Sequence, residues 1–252
     1  MSVPLTVVSL FPELLNVNGD SANAIVLETR ARWSGFETRL ARVRVGEEIE
    51  WERPDIVVIG SGSDEDLPKT LSELRRIESC IRDWVANDTP LLAVGTGWEL
   101  LSDYIDTGTQ PRIEGLGVFS GHSTPARERI TSELVVDSDF GRLFGFENHA
   151  RHYTLGTEGT PLGTVTHGSG NGLGTGRQAV EGSIVGNAVG THLHGPVLAR
   201  NPALADHFLS IAQARSTALT GAKASVELFA ADKMAQSARA VVAKQLGITA
   251  EK

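Results

Sequence analysis

The chain has 252 residues, enough to bury one large core, and its composition of 40% hydrophobic and 21% charged residues is that of a globular domain. With 31 acidic against 23 basic side chains, the formal charge of -8 repels a phosphate backbone and argues against nucleic-acid binding. The lone cysteine, Cys80, excludes an internal disulfide, and no apolar run reaches the length of a bilayer. The apolar start carries Pro4 and lacks both a basic region and a cleavage site, so it reads as a strand and not a signal peptide. A soluble cytoplasmic protein is the expectation.

In chain order, the Val-rich run 5–10 predicts a strand buried on both faces. Residues 21–33 predict a helix with Ala24, Leu27 and Ala31 on one face, stopped by Gly35. Strands follow at 36–43 and 55–60, the second ending in the turn Gly60-Ser61-Gly62-Ser63. A long helix is predicted over 67–86, with Leu71, Leu74, Ile77, Cys80, Ile81 and Trp84 on its apolar side. After Thr89-Pro90 come a short buried strand at 91–94 and a helix over 97–105. Strands are predicted at 134–136, 161–166 and 183–190, with a glycine-rich loop at 168–176. Asn201-Pro202 supplies an N-cap and a first-turn proline for a helix to about 216. Gly221 interrupts, and 222–246 forms an alanine-rich helix. The order of βαβ units predicts an α/β fold with a mainly parallel, doubly wound sheet over 1–217 and a helical C-terminal extension over 218–252.

The sharpest local pattern is Pro90-Leu-Leu-Ala-Val-Gly-Thr-Gly-Trp-Glu-Leu-Leu101, a buried strand meeting a helix through a tight turn. In a nucleophile elbow such a turn lifts one side chain above the sheet, where the following N–H groups and the helix dipole stabilise an anion. Here the apex is Gly95, which offers no nucleophile, and by itself the turn is equally a plain strand–helix connection. In Gly190-Thr-His-Leu-His-Gly-Pro196, His194 follows a strand and is placed to act as a general base facing a cleft. His192 and His194 form a His-x-His pair, but no acidic or cysteine partner lies at a zinc spacing, so neither metal nor cofactor is expected. Glycines 168–176 open no helix, which fails the context of a dinucleotide loop. No lysine-bearing phosphate loop exists, and Asp139-Phe-Gly141 lacks the other kinase motifs.

Together these segments resemble the glutamine amidotransferases of the cobyric-acid-synthase type, and among them the glutaminase subunits of lipid II isoglutaminyl synthases. The resemblance runs from about 5 to 208, and its anchors are Leu10-Phe-Pro-Glu-Leu-Leu-Asn-Val-Asn-Gly-Asp20, Arg30-Ala-Arg-Trp-Ser-Gly35, Gly145-Phe-Glu-Asn-His149, Pro161-Leu-Gly163 and Gly190 to Pro196 with Asn201-Pro202. The resemblance implies the class I amidotransferase fold, an elbow cysteine that attacks glutamine, a proton-shuttling histidine and ammonia delivery to a Mur-ligase-like synthetase. It places Gly95 on the cysteine and His194 on the histidine. Gly60, Ser61 and Gly62 fall on the glycine turn of the oxyanion hole, with one glycine replaced, and Thr96 lies beside it. Asn148, His149, Arg151 and His152 become candidates for substrate binding, with Arg151 displaced by one position from the family's glutamine-binding arginine. Glu99 stands where the family has glutamine, and Gly19-Asp-Ser-Ala-Asn23 departs from its Gly-Asp-Arg-Gly-Asn. The expectation is an amidotransferase-like subunit for peptidoglycan precursor amidation, impaired as a glutaminase. The alternatives are a non-catalytic protein using the old glutamine pocket for another ligand, and a changed hydrolase using His194.

Overall fold

Short apolar runs make the spine of the molecule because strands covered on both faces need no polar alternation. The computed structural model describes residues 4–49, 53–108, 111–172, 179–215 and 225–251. Strand β1 (Leu5–Leu10), helix α1 (Ala22–Trp33), β2 (Thr38–Val43) and β3 (Ile56–Ile59) come first. Helices α2 (Leu67–Arg76) and α3 (Glu78–Ala86), strand β4 (Leu91–Val94), helix α4 (Thr96–Leu100) and strands β5 (Ser102–Ile105) and β6 (Ile113–Glu114) follow. Then come β7 (Phe119–Ser138), β8 (Gly141–Leu155), β9 (Gly163–His167), β10 (Val180–Glu181), β11 (Ser183–Val185) and β12 (Ala188–Thr191). Helices α5 (Val197–Arg200), α6 (Pro202–Arg215) and α7 (Val226–Leu246) complete the described chain.

The first sheet has the order β11-β12-β4-β3-β1-β2, parallel throughout except for the β11–β12 hairpin. Its residues divide by parity, as a pleated strand requires. Val8, Leu10, Val57, Ile59, Leu91 and Ala93 pack with α2, α3 and Phe119, whereas Leu5, Val7, Ile56, Val58, Leu92 and Val94 pack with α1 and α6. Each Val, Leu or Ile among them contributes about 1.5–3 kcal/mol by leaving water. The expected doubly wound sheet is therefore present.

A second, largely antiparallel sheet, β10-β9-β7-β5-β6 with β8 paired to β7, was not anticipated at this extent. The predicted 134–136 strand is one buried stretch of the much longer β7, whose Arg127-Glu-Arg129 segment is polar and exposed. The helix expected over 97–105 ends at Leu100, where the Ser102 hydroxyl bonds the Trp98 carbonyl, and 102–105 leaves as β5. The helix expected over 67–86 divides at Ile77 (φ -114°, ψ 16°). Cys80 is a half-buried neighbour of the core.

Pro202 opens α6 as expected, and the Asn201 carbonyl accepts from the Leu204 and Ala205 N–H groups. The Asn201 side chain bonds the N–H and carbonyl of Phe144 and the Val197 carbonyl, tying the helix to β8. Helix α7 is capped by the Ser225 hydroxyl and held to α1 through Arg30, whose guanidinium reaches Asp232 and Asp206. Gly221, residues 173–176 of the glycine-rich loop and the expected boundary between 217 and 218 lie outside the described residues.

Candidate functional site

Four parallel strands deliver their carboxyl ends to one edge, where open α/β sheets bind ligands. The loops after β1, β3, β4 and β12 meet there, and the 147–151 stretch of β8 closes the opening into a cavity of about 410 Å³. Its wall carries Ser61, Gly62, Gly95, Thr96, Asn148, His149 and Arg151 from the sequence-derived set, together with Asn18, Asp64, Glu99, Arg129 and His192. Gly60 packs beneath this wall, so close to Leu15 and Asp20 that a side chain would not fit. His152 is outside the lining, on the opposite side of β8 from Arg151, with Nδ1 unpaired among the described residues.

The elbow is real in geometry. Gly95 has φ 54° and ψ -124°, a left-handed backbone that disfavours any side chain, and its N–H is anchored on the Thr191 carbonyl at 2.9 Å. A Cβ built on Gly95 would lie 2.5 Å from Ser61 Oγ, 2.8 Å from Ser61 Cβ and 3.1 Å from His194 Cε1. The Thr96 N–H donates to Ser61 Oγ at 3.3 Å, and the Gly62 N–H donates to Thr96 Oγ1 at 2.6 Å.

His194 is fully buried, with its Cε1 beside the elbow apex. Its Nδ1–H donates to the Asp20 carboxylate, with oxygens at 2.9 and 3.0 Å, and the Asn18 amide nitrogen lies 3.3 Å from both ring nitrogens. Paired backbone bonds to Phe146 fix the loop behind the ring. Asp20 is also fully buried, so this pair is held in one arrangement away from water. The order of strands brings the two together across 174 positions of sequence, a contact no local pattern shows.

Arg151 is spoken for within the protein. Its guanidinium makes bonds of 2.7–3.1 Å to both oxygens of Glu99 and one of 2.8 Å to Asp64. Burial alone pushes the Glu99 carboxyl up, but the attraction of Arg151 outweighs it and holds Glu99 below the usual carboxylate range. Burial likewise disfavours the Arg151 cation, and Glu99 and Asp64 overcome that, raising its pKa. Ser123 donates a further bond to Glu99 at 3.0 Å.

Below lies a buried histidine pair. His149 and His192 stack with centroids 4.1 Å apart, and His192 meets Trp98 edge-on. The His149 Nδ1–H donates to the Arg151 carbonyl at 2.6 Å and Nε2 lies 3.3 Å from Glu147. Burial opposes the His149 cation, but Glu147 prevails and raises its pKa; burial and the neighbouring His149 push His192 down. The neighbours of His192 (His149, Trp98 and Glu181) differ from those of His194 (Asp20 and Asn18). Among the described residues no cluster of three or more His, Cys, Asp or Glu is arranged to hold a metal.

Comparison with known proteins adds a family to this geometry. Residues 6–202 match the CobB/CobQ-like glutamine amidotransferase domain. The chain is 31% identical over 208 residues to the lipid II isoglutaminyl synthase (glutamine-hydrolyzing) subunit GatD of Staphylococcus aureus, covering 81% of this chain and 83% of that one. It is 31% identical over 212 residues to the subunit of the same name in Streptococcus pneumoniae, covering 82% and 80%. Among solved structures it is similar to a glutamine amidotransferase (TM-score 0.56, 19% identity, 81% and 98% covered). PurLQS from Thermotoga maritima is another (TM-score 0.58, 12% identity, 83% and 99% covered). At such identities the structural likeness speaks to the fold.

Proposed function

Because the chain belongs to the CobB/CobQ-like glutamine amidotransferase family, we propose that it is the amidotransferase-like subunit of a complex of the lipid II isoglutaminyl synthase type. In this reading it works beside a Mur-ligase-like synthetase in amidating a peptidoglycan precursor and does not hydrolyse glutamine by itself. The observation that carries the second part is the elbow. Covalent glutaminase chemistry needs a side chain at the apex, and Gly95 has none. The place where that side chain would begin is already taken by Ser61, 2.5 Å away. Thr96 does not replace it, because its hydroxyl is committed to Gly62.

Capture of glutamine is compromised at the same time. An arginine that greets a ligand carboxylate must bring net positive charge, and Arg151 faces Glu99 and Asp64 instead. The cavity itself persists, which favours one second reading, a binding subunit that uses this space for another small molecule.

The test is glutamate and ammonia release from glutamine by the purified chain and by His194→Ala. The two are expected to be indistinguishable, and robust His194-dependent release overturns the silent-site reading. Native co-purification with mass spectrometry tests the association. Recovery of a Mur-ligase-like protein supports it, and repeated recovery of the chain alone favours the binding reading.

A further inference from the structure

Elbow sites of this kind usually stabilise a developing oxyanion with two backbone N–H groups, one from the residue after the apex and one from the loop of a neighbouring strand. Here the corresponding groups are the Thr96 N–H and the Gly62 N–H, from the turns after β4 and β3. Both already have acceptors inside the protein. Ser61 Oγ takes the first at 3.3 Å and Thr96 Oγ1 the second at 2.6 Å, with the two hydroxyl oxygens 3.4 Å apart. The Thr96 hydroxyl hydrogen is placed to return to the Gly62 carbonyl at 3.3 Å. Ser61 and Thr96 thereby bond each turn to the other.

Building on the reading of this cavity as an amidotransferase pocket, we infer that Ser61 and Thr96 form an internal latch that fills the anion hole from within and blocks the apex, so that a cysteine at Gly95 alone does not restore a reactive site. The steric half of the argument rests on the second contact of the built Cβ. Rotation of Ser61 moves its Oγ away, but its Cβ, 2.8 Å from the added atom, is fixed by the backbone. Only loss of the side chain clears the space. His194 Cε1 at 3.1 Å is a contact a few tenths of an ångström of movement accommodates, so the obstruction is Ser61. The electrostatic half is that an incoming oxygen must displace a hydroxyl already bonded to each N–H, so the hole has no unfilled donor to offer. Ser61 and Thr96 are positioning residues in this account, acting through Gly62 and the Thr96 amide.

Two measurements test it, and the first leaves Gly95 untouched. In amide hydrogen exchange, Thr96→Val is expected to speed exchange at Gly62 at least about tenfold, and Thr96→Ser is expected to restore protection. Unchanged exchange at Gly62 in Thr96→Val overturns the latch. In the second, iodoacetamide alkylation at position 95 is followed by peptide mass spectrometry, with Cys80 as the internal reference. Gly95→Cys combined with Ser61→Gly is expected to react at least about tenfold faster near neutral pH than Gly95→Cys alone, because only the cleared thiol settles beside His194. Equal rates overturn the steric half. If Gly95→Cys does not fold, the exchange experiment decides. Labelling of native Ser61 by a fluorophosphonate would make it a nucleophile and overturn the latch as well. Glutamate release by the native chain bears on the silent-site reading alone, and Gly62 exchange bears on the latch alone.

Discussion

The cavity has two walls that differ in how their charged groups are settled. Behind one, outside the cavity lining, lie His194 and Asp20, a buried pair with the Asn18 amide nitrogen 3.3 Å from both nitrogens of the ring. The other holds Ser61, Thr96, Glu99 and Arg151, where hydroxyls, N–H groups, carboxylates and guanidinium satisfy one another. The first pair is one buried contact; the second set is satisfied by its own members. On the function proposed above, the pocket keeps its shape while the side expected to meet substrate is closed into the core.

If the second wall is a lock, opening it costs the most. Glu99→Ala leaves the Arg151 cation buried with Asp64 as its remaining charged partner, and about 3–5 kcal/mol of stability is expected to be lost in urea unfolding. Glu99→Gln, which keeps an acceptor, is expected to lose less. A Glu99→Ala loss below about 1 kcal/mol would erase the distinction between the walls.

The first wall is expected to yield less. Asp20→Asn keeps the shape but replaces a carboxylate with an amide at the His194 Nδ1–H, for an expected cost of about 1–3 kcal/mol. The readout specific to orientation is the ¹⁵N spectrum of the His194 ring, which should lose its single preferred tautomer. An unaltered ring spectrum would show that Asp20 does not hold the imidazole.

How much of this was legible in sequence follows from the same physics. The strands β1, β3 and β4 announce themselves because burial on both faces demands unbroken apolar runs. The second sheet hid because β7 carries the polar, exposed stretch Arg127-Glu-Arg129 and β8 alternates buried with half-buried polar positions in place of an unbroken apolar run. Likewise Trp98, Leu100 and Leu101 continued a helical period into 102–105, and only the bonding of Ser102 back to Trp98 ends it. Gly95 and His194 stood out locally, as did the replaced glycine at Ser61. What Ser61 displaces, and that Asp20 and Glu99 are the partners of His194 and Arg151, depend on strand order and contacts distant in sequence. The signals for Asp20 were its match to the aspartate of the family's Gly-Asp-Arg-Gly-Asn and its place in a loop after a buried strand, neither of which names His194 as its partner.

Acid should separate the walls by a smaller effect. Glu99 is held below its ordinary value of 4.5, first against burial and then by Arg151, so its contribution is present above pH 4.5 and lost as pH falls through its folded pKa. Glu147, held down by His149 against burial, behaves the same way. His192, pushed below 6.5, adds a loss that begins as pH falls past 6.5, while the raised His149 loses its contribution as pH rises above 6.5. Thermal unfolding of Glu99→Gln is expected to fall less steeply below pH 4.5 than that of the native chain. Parallel curves would assign the acid loss to Glu147 and not to the lock.

The smallest effect on the fold is expected at the rim, and it tests whether the locked wall is retained for docking. Asp64 is unsuited to this test, since its carboxylate bonds Arg151 and its reversal would open the lock. Glu65 is exposed beside it at the start of the turn into α2. Glu65→Lys is therefore expected to leave stability within about 0.5 kcal/mol of the native chain. A docked synthetase should bury at least about 1,000 Å² in total, and a reversed rim charge within that area acts chiefly on the association rate. Association of the purified synthetase with Glu65→Lys is expected to slow, with the difference shrinking as salt is added. An identical rate at low salt would place the interface elsewhere and leave the locked wall with a structural role only.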